Sequence, residues 1–240
     1  MNSISIIIPV LNEAASINKL LNHLLVNSSP SIIHELIIVD GGSRDLTRDI
    51  VGAFFQKTII GKQKIKCHLI RSPRGRSKQM NAGANAATGG ILYFLHADSF
   101  PPSNFDKLIA NEVKKGNLAG CFRLQFKHSH WWLKLSSWLT QFNFRVCRGG
   151  DQSQFITKQL FENIGGFDEN YVIYEDNILI SELYKRKQFT VINKKLFTSA
   201  RRYESKGIWR LQYHFWMIYF KKWRGGSADE LFDYYKKNVY

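Results

Sequence analysis

Cysteine is scarce in this 240-residue chain. Its three copies, Cys67, Cys121 and Cys147, are odd in number and far apart. With no Cys-x-x-Cys pair they exclude both a disulfide framework and a zinc knuckle, and they read as buried, reduced thiols of a cytoplasmic protein. No apolar run reaches the ~18 residues that a membrane span needs. The N-terminus passes directly into a short apolar strand, without the basic start and longer apolar stretch of a secretory signal. Internal repeats, linkers and low-complexity stretches are also missing, which favours one integrated domain with a C-terminal extension. Acidic residues are few: 19 Asp and Glu stand against 34 Lys and Arg, a net charge of +15. Such a surplus calls for phosphates, an acidic membrane surface or nucleic acid as a partner.

What is present is a globular composition, 44% hydrophobic and 14% aromatic. The first hundred residues alternate between short apolar runs and helical spacing. Ser5 to Val10, Glu35 to Asp40, Cys67 to Arg71 and Ile91 to His96 read as buried strands. Between them, Ile17, Leu20, Leu21, Leu24 and Leu25 share one helical face, as do Leu46, Ile50, Val51 and Phe54, and Ser77 to Ala87 forms a small-residue helix. That alternation predicts right-handed βαβ units and a mostly parallel sheet, with ligands beyond the carboxyl ends of its strands. The second half is less regular. Strands are expected at Leu118 to Phe126, Gln154 to Thr157, Phe189 to Ile192 and Leu196 to Ser199. Helices are expected at Trp131 to Phe142, before Gly165-Gly166, from Glu175-Asp176 onward, and at Trp209 to Trp223.

The strand ends are polar in a pattern. Strand one ends in Asn12-Glu13, strand two in Asp40, strand four in His96-Ala97-Asp98, and the loop after strand three carries Arg71, Arg74, Arg76 and Lys78. Asp45 reads as a helix cap. Asp40, at the tip of an apolar strand, has either a ligand role, the favoured one, or a capping role. His96 and Asp98 are two apart, so in an extended chain one imidazole nitrogen and one carboxylate face the same way and can share a divalent ion.

These residues resemble a known family. Ser5 to Glu13 (SIIIPVLNE) and Ile38 to Thr47 (IVDGGSRDLT) resemble the opening of the family 2 glycosyltransferases. Asn81-Ala-Gly83 with Ala86-Ala-Thr-Gly89 resembles the helix before the family's metal strand. Phe94-Leu-His-Ala-Asp98 stands at the place of its Asp-x-Asp signature. Gly165-Gly-Phe167 followed by Tyr174-Glu-Asp176 resembles its acceptor-side pair. The chain departs from the pattern at Gly41, where many relatives carry a second acid, and at His96, in place of the first acid of Asp-x-Asp.

The resemblance covers about residues 4 to 200 and implies a GT-A fold: a Rossmann-like, mostly parallel sheet flanked by helices. It implies a domain over 1–203, with a nucleotide-binding half (1–100) and an acceptor half (101–203), followed by a helical extension over 204–240. The implied activity is that of an inverting, hexosyltransferase-like enzyme using a nucleotide sugar, UDP favoured, with Mn²⁺ or Mg²⁺. Pro9, Leu11, Glu13, Asp40, Gly41, Asn81, Gly83, Ala97 and Asp98 would form the donor site. Arg74, Arg76, Lys78, Arg201 and Arg202 are candidates for the diphosphate, where a guanidinium fork suits phosphate better than lysine. Asp98 and His96 would hold the metal. Gly150, Asp151 and Gln152 would lie near the acceptor, with Asp151 equally readable as a turn residue. Asp176 is the expected general base and Glu175 its orienting neighbour; a position at a helix N-terminus would lower the Asp176 pKa.

The excess positive charge needs a separate explanation. Residues 206–224 are dense in aromatics with Lys and Arg at both ends. Two readings stand: a segment lying in a membrane interface, which would suit a lipid-linked acceptor, or a helix packed in the core with a solvated basic end. The expected location is the cytoplasm, with peripheral attachment at the inner face of the membrane under the first reading. The rival class is a basic-aromatic nucleic-acid-binding or membrane-surface protein without catalysis. No recognised nucleic-acid module occurs, and nucleic acid is not the expected partner. A nucleotidyltransferase would carry a Gly-rich, Arg-containing loop where this chain has Leu11-Asn-Glu-Ala-Ala. His128 and His130 are read either as acceptor contacts or as ordinary loop residues.

Overall fold

The computed structural model describes residues 3–60 and 65–239. β1 (Ile4–Val10) is almost entirely buried, as a run of β-branched residues covered on both faces should be. α1 (Ile17–Asn27) buries Ile17, Leu20, Leu21 and Leu24, the stripe its spacing predicts. β2 (Ile33–Asp40), α2 (Thr47–Ile60), β3 (Lys66–Arg71), α3 (Arg76–Ala86) and β4 (Ile91–Phe94) complete the alternating half. α3 lies close on the sheet because Gly83 has no side chain: a Cβ there would collide with Ile7 and press on Val39.

The second half runs β5 (Ser99–Phe100), α4 (Phe105–Lys114), β6 (Ala119–Phe126), α5 (Trp131–Leu139), two 3₁₀ turns (Arg145–Cys147 and Gly150–Gln152) and β7 (Gln154–Thr157). It continues with α6 (Lys158–Ile164), α7 (Glu175–Lys185), β8 (Thr190–Thr198), α8 (Arg201–Lys206), α9 (Ile208–Trp223) and α10 (Ala228–Asn238).

All eight strands form one sheet in the order β3-β2-β1-β4-β7-β6-β8-β5. β3, β2, β1 and β4 are parallel, and so are β6 and β8; β7 and β5 run against their neighbours. The expected mostly parallel sheet is therefore present. Alternate residues of β1 feed two cores. Ile6 and Ile8 join α1 and Phe54 on one face, and Ile7 joins Met80, Phe161 and Leu179 on the other.

Several expectations need correction. The two strands expected at 189–192 and 196–199 are a single strand, β8, with a register irregularity against Phe122 and Arg123. Strand four stops at Phe94, before His96, and α5 ends at Leu139. α4, α10 and the short β5 were not expected, although Ser227-Ala-Asp-Glu230 ahead of α10 is a capping-box pattern, with Ser227 Oγ accepting from Glu230 N. The expected boundary after residue 203 falls inside α8. Of the thiols only Cys121 is buried; Cys67 and Cys147 are partly exposed. No described helix is long and apolar enough to cross a membrane.

Candidate active site

The carboxyl ends of β1, β2 and β4 meet the chain entering β7, and the expected residues gather there. Gln79 on α3 ties the first two strands together, its amide donating to Val10 O (2.9 Å) and Val39 O (2.7 Å). Gly41 leaves room for that amide, since a Cβ would stand 2.9 Å from it. Asp40 is buried and its carboxylate accepts from Ser43 N (3.0 Å) and Gly42 N (3.3 Å). Asp40 therefore caps its own turn. Asp45 accepts from Thr47 N just ahead of α2, the cap expected of it. Pro9, Leu11 and Glu13 are partly exposed. Glu13 accepts from Ser16 Oγ (2.7 Å) and pairs with Arg201 across 3.7 Å, so α8 reaches back to the loop after β1. Arg202 turns instead to the Tyr235 hydroxyl on α10. Asn81 latches the Gly165-Gly166-Phe167 loop, donating to Phe167 O and accepting from Phe167 N. Asn81 and Gly83 therefore hold structure together beneath the site.

His96, Ala97 and Asp98 lie in a tight turn closed by Ser99 N donating to His96 O (3.1 Å), not at an extended strand tip. Ala97 is buried, whereas His96 and Asp98 are partly exposed. His96 Nε2 donates to Gly150 O (2.6 Å), which leaves Nδ1 as the lone-pair nitrogen. Burial, and then the Arg76 charge, push this imidazole below its usual pKa, so it is neutral near pH 7. Burial pushes the Asp98 carboxyl up; His96 opposes this, and Asp151 and Glu13 add to it. Excess negative charge beside a neutral imidazole suits a divalent cation. Among the described residues no three metal-ligating side chains converge. An ion held by Asp98 and His96 would therefore take most of its shell from phosphate oxygens and water.

Glu175 and Asp176 open α7 and are buried, 1% and 7% exposed. The Arg76 guanidinium faces both, 3.5 Å from Glu175 Oε1 and 3.6 Å from Asp176 Oδ2. Burial, and then the neighbouring Glu175 charge, push the Asp176 carboxyl well above the usual carboxylate range, and Arg76 offsets only part of this. The expected lowering by the helix N-terminus is overturned: desolvation in a low-dielectric site outweighs a terminal dipole. Burial raises Glu175 as well, against the pull of Arg76. Arg76, expected at the diphosphate, is a partner of this carboxylate pair; burial works against its charge, and Glu175 and Asp176 keep it protonated.

The 3₁₀ turn at Gly150–Gln152 faces the pair. Asp151 is exposed, and its charge acts on Arg76, His96, Asp98, Glu175 and Asp176. Gln152 is buried and spends its amide on Cys147 O and Cys121 Sγ, so it braces the turn from inside. His130 caps α5 by accepting from Trp132 N, and His128 accepts from His130 N; His130 also meets Trp209 of α9 edge-on and His128 lies 3.9 Å from Glu204 of α8. Tyr174 belongs to the Tyr174-Glu-Asp176 motif but has no role assigned from the sequence. It adopts the left-handed conformation (φ 71°) just before Glu175 and stacks edge-on against Tyr219 of α9, centroids 5.1 Å apart. Its contact with the distant α9 is what no local signal in the sequence reports.

A carboxylate pair and a His–Asp turn thus lie together at the carboxyl ends of a mostly parallel sheet in an α/β fold. The model of glycosyl transferase family 2 matches residues 5–222, and the chain belongs to that family. Among curated relatives, it is 33% identical over 98 residues to the glycosyltransferase AglE of Haloferax volcanii, covering 41% of this chain and 31% of that protein. It is 24% identical over 204 residues to the undecaprenyl-phosphate 4-deoxy-4-formamido-L-arabinose transferase of Proteus mirabilis, covering 84% and 58%. The chain thus spans about a third to a little over half of these relatives' lengths. The fold is similar to that of the mannosyltransferase PcManGT from Pyrobaculum calidifontis, solved with GDP-Man and Mn²⁺, at TM-score 0.65 and 18% identity over 94% of this chain and 65% of that one. The fold is GT-A.

Proposed function

We propose that this chain is an inverting glycosyltransferase that moves a sugar from a nucleoside diphosphate donor, UDP favoured, to an acceptor hydroxyl. The observation that carries the reading is the buried Glu175–Asp176 pair, held by Arg76 and facing the His96–Asp98 turn across Gly150. In a single displacement the acceptor oxygen bonds to the anomeric carbon, the bond from that carbon to the diphosphate oxygen breaks, and the acceptor proton passes to Asp176. Glu175 and Arg76 position that carboxylate. Its raised pKa makes it a stronger base once ionised. Mn²⁺ or Mg²⁺, held by Asp98 and His96 Nδ1, would supply charge stabilisation for the departing diphosphate. Glu13, Arg201 and the β1 and β2 turns would bind the nucleoside and phosphates, and Asp151 the acceptor. The exposure of Asp151 supports a second reading, in which that carboxylate takes the proton.

The undecaprenyl-phosphate transferase among the relatives supports a lipid-linked acceptor. With it goes a peripheral position at the inner face of a membrane. The test is release of nucleoside diphosphate from a panel of UDP- and GDP-sugars. Asp176→Asn should lower turnover about 10²–10⁴-fold with donor binding kept. Full activity in Asp176→Asn with loss in Asp151→Asn would transfer the base to Asp151. Retained anomeric configuration in the product would contradict the single displacement.

A further inference from the structure

The chain carries a second apolar surface that its own core does not use. On α9, Leu211 and Ile218 turn inward. Trp209, Tyr213, Trp216, Phe220 and Trp223 recur every three or four residues along the other side and are 46–81% exposed. The reading of this segment as a core helix accounts for the aliphatic side alone. The aromatic stripe is about 21 Å long at the helical rise per residue. It continues onto α5: Trp131 stands 5.7 Å from Trp209, and Trp132 lies 5.5 Å from Trp209 and 5.7 Å from Trp216. Along α5 the exposure runs through Leu135, Trp138 and Leu139 to Phe142, Phe144 and Val146, the last 90% exposed. The buried Arg148 donates to Thr140 O (2.7 Å) and Phe142 O (2.6 Å), which fixes the turn that carries them.

We infer that this α5–α9 face is the surface on which the protein docks onto an anionic lipid bilayer, side chains at headgroup depth, with its active site alongside. The charge supports a lipid occupant. Residues 201–224 contain seven Lys and Arg against one acid, Glu204, and residues 127–148 contain no acid at all. Tryptophan and tyrosine with a cationic rim are the composition of an interfacial helix. A second copy of the chain would bring two such positive faces together, and like charges across a seam repel. Nucleic acid would use the rings and the charge but would leave Leu135, Leu139 and Val146 without purpose.

The face is coupled to the site. Tyr219, on the flank of the stripe, packs on Tyr174 and donates to Asn177 Oδ1 (3.2 Å) at the start of the helix that carries Asp176. Docking α9 therefore sets that carboxylate beside the bilayer surface, where a lipid-linked acceptor presents its head; this last step rests on the proposed function, and the docking itself does not.

The six tryptophans of the chain all lie on α5 and α9, so intrinsic fluorescence reports this face alone. The full chain is titrated, without donor, with vesicles of phosphatidylcholine alone or with one-third phosphatidylglycerol, with and without brominated acyl chains. Expected are a blue shift and bromine quenching on the anionic vesicles, with affinity about tenfold weaker in high salt. The combined variant Trp209→Ser, Trp216→Ser, Trp223→Ser should bind those vesicles at least tenfold more weakly while binding donor nucleotide as the wild type does. Absence of quenching on both vesicles would overturn the inference. So would an emission change that needs no lipid and tracks dimer formation in sedimentation, or one produced only by an oligonucleotide. Because no donor is present, failure here leaves the transferase reading untouched, and failure of that reading leaves the docking result standing.

Discussion

The carboxylate of Asp176 lies directly against the α-carbon of Gly150, so close that any side chain at position 150 would collide with Oδ2. The same glycine's carbonyl holds His96. One residue therefore sets the distance between the proposed base and the proposed metal turn. Gly150→Ala should push the carboxylate aside and lower turnover about 10²-fold or more, since misplacing a reacting group by an ångström has effects of that size. Nucleotide affinity, measured by calorimetry, should stay within a few-fold of wild type.

The raised pKa of Asp176 gives the reaction a pH signature. The base works ionised, so kcat/KM should rise along an acid limb above the ordinary carboxylate range near ~4. Arg76 pulls that pKa down and Asp151 pushes it up. Arg76→Gln should therefore move the limb to higher pH, and Asp151→Asn should move it to lower pH. Stability follows the same linkage. A carboxyl with a raised folded pKa adds stability below its unfolded pKa and loses it as pH rises through the folded value. Asp176→Asn should accordingly raise Tm at about pH 8 and change it little at about pH 4.

Glu35 makes the opposite case, away from the site. It is 1% exposed and accepts from Ser5 Oγ (2.6 Å), Thr88 N (2.7 Å) and Thr88 Oγ1 (3.0 Å), joining β1, β2 and the turn before β4. Burial alone would raise its pKa, but these hydrogen bonds together hold it below the usual value. Glu35→Ala should destabilise the fold by about 2–4 kcal/mol, because buried donors lose their acceptor. The contribution is present above the unfolded pKa and is lost as pH falls through the folded one, so wild type and variant should converge in acid denaturation.

The alternating half of the fold was legible because its signals are local: apolar runs of strand length, helical stripes such as Ile17 to Leu24, and polar residues at the strand ends. β8 was read as two strands because Asn193, Lys194 and Lys195 interrupt its apolar pattern at the point where its pairing with β6 slips. α4 was missed although its start carries an N-cap residue type, Asn104, and an acid, Asp106, in its first turn; Asn104 is left-handed there and its side chain makes no capping hydrogen bond. The grouping of Asp98, Asp151 and the Glu175–Asp176 pair was expected only through family resemblance. That Arg76 would belong to the carboxylates depends on contacts across about a hundred residues of chain, and no spacing rule reports it. The Asp176 shift went the wrong way for a similar reason: a helix N-terminus is visible in sequence, and burial beside a second carboxylate is not.

Calorimetry of UDP, GDP and CDP decides whether the chain holds a nucleotide-sugar site completed by a divalent ion. Each would be titrated with Mn²⁺ and with EDTA, into wild type and Asp98→Ala. One nucleotide, UDP, should bind with Mn²⁺, and EDTA or the substitution should remove at least about tenfold in affinity. Failure of every nucleotide to bind, with the ion and without it, would mean that the chain holds no such site.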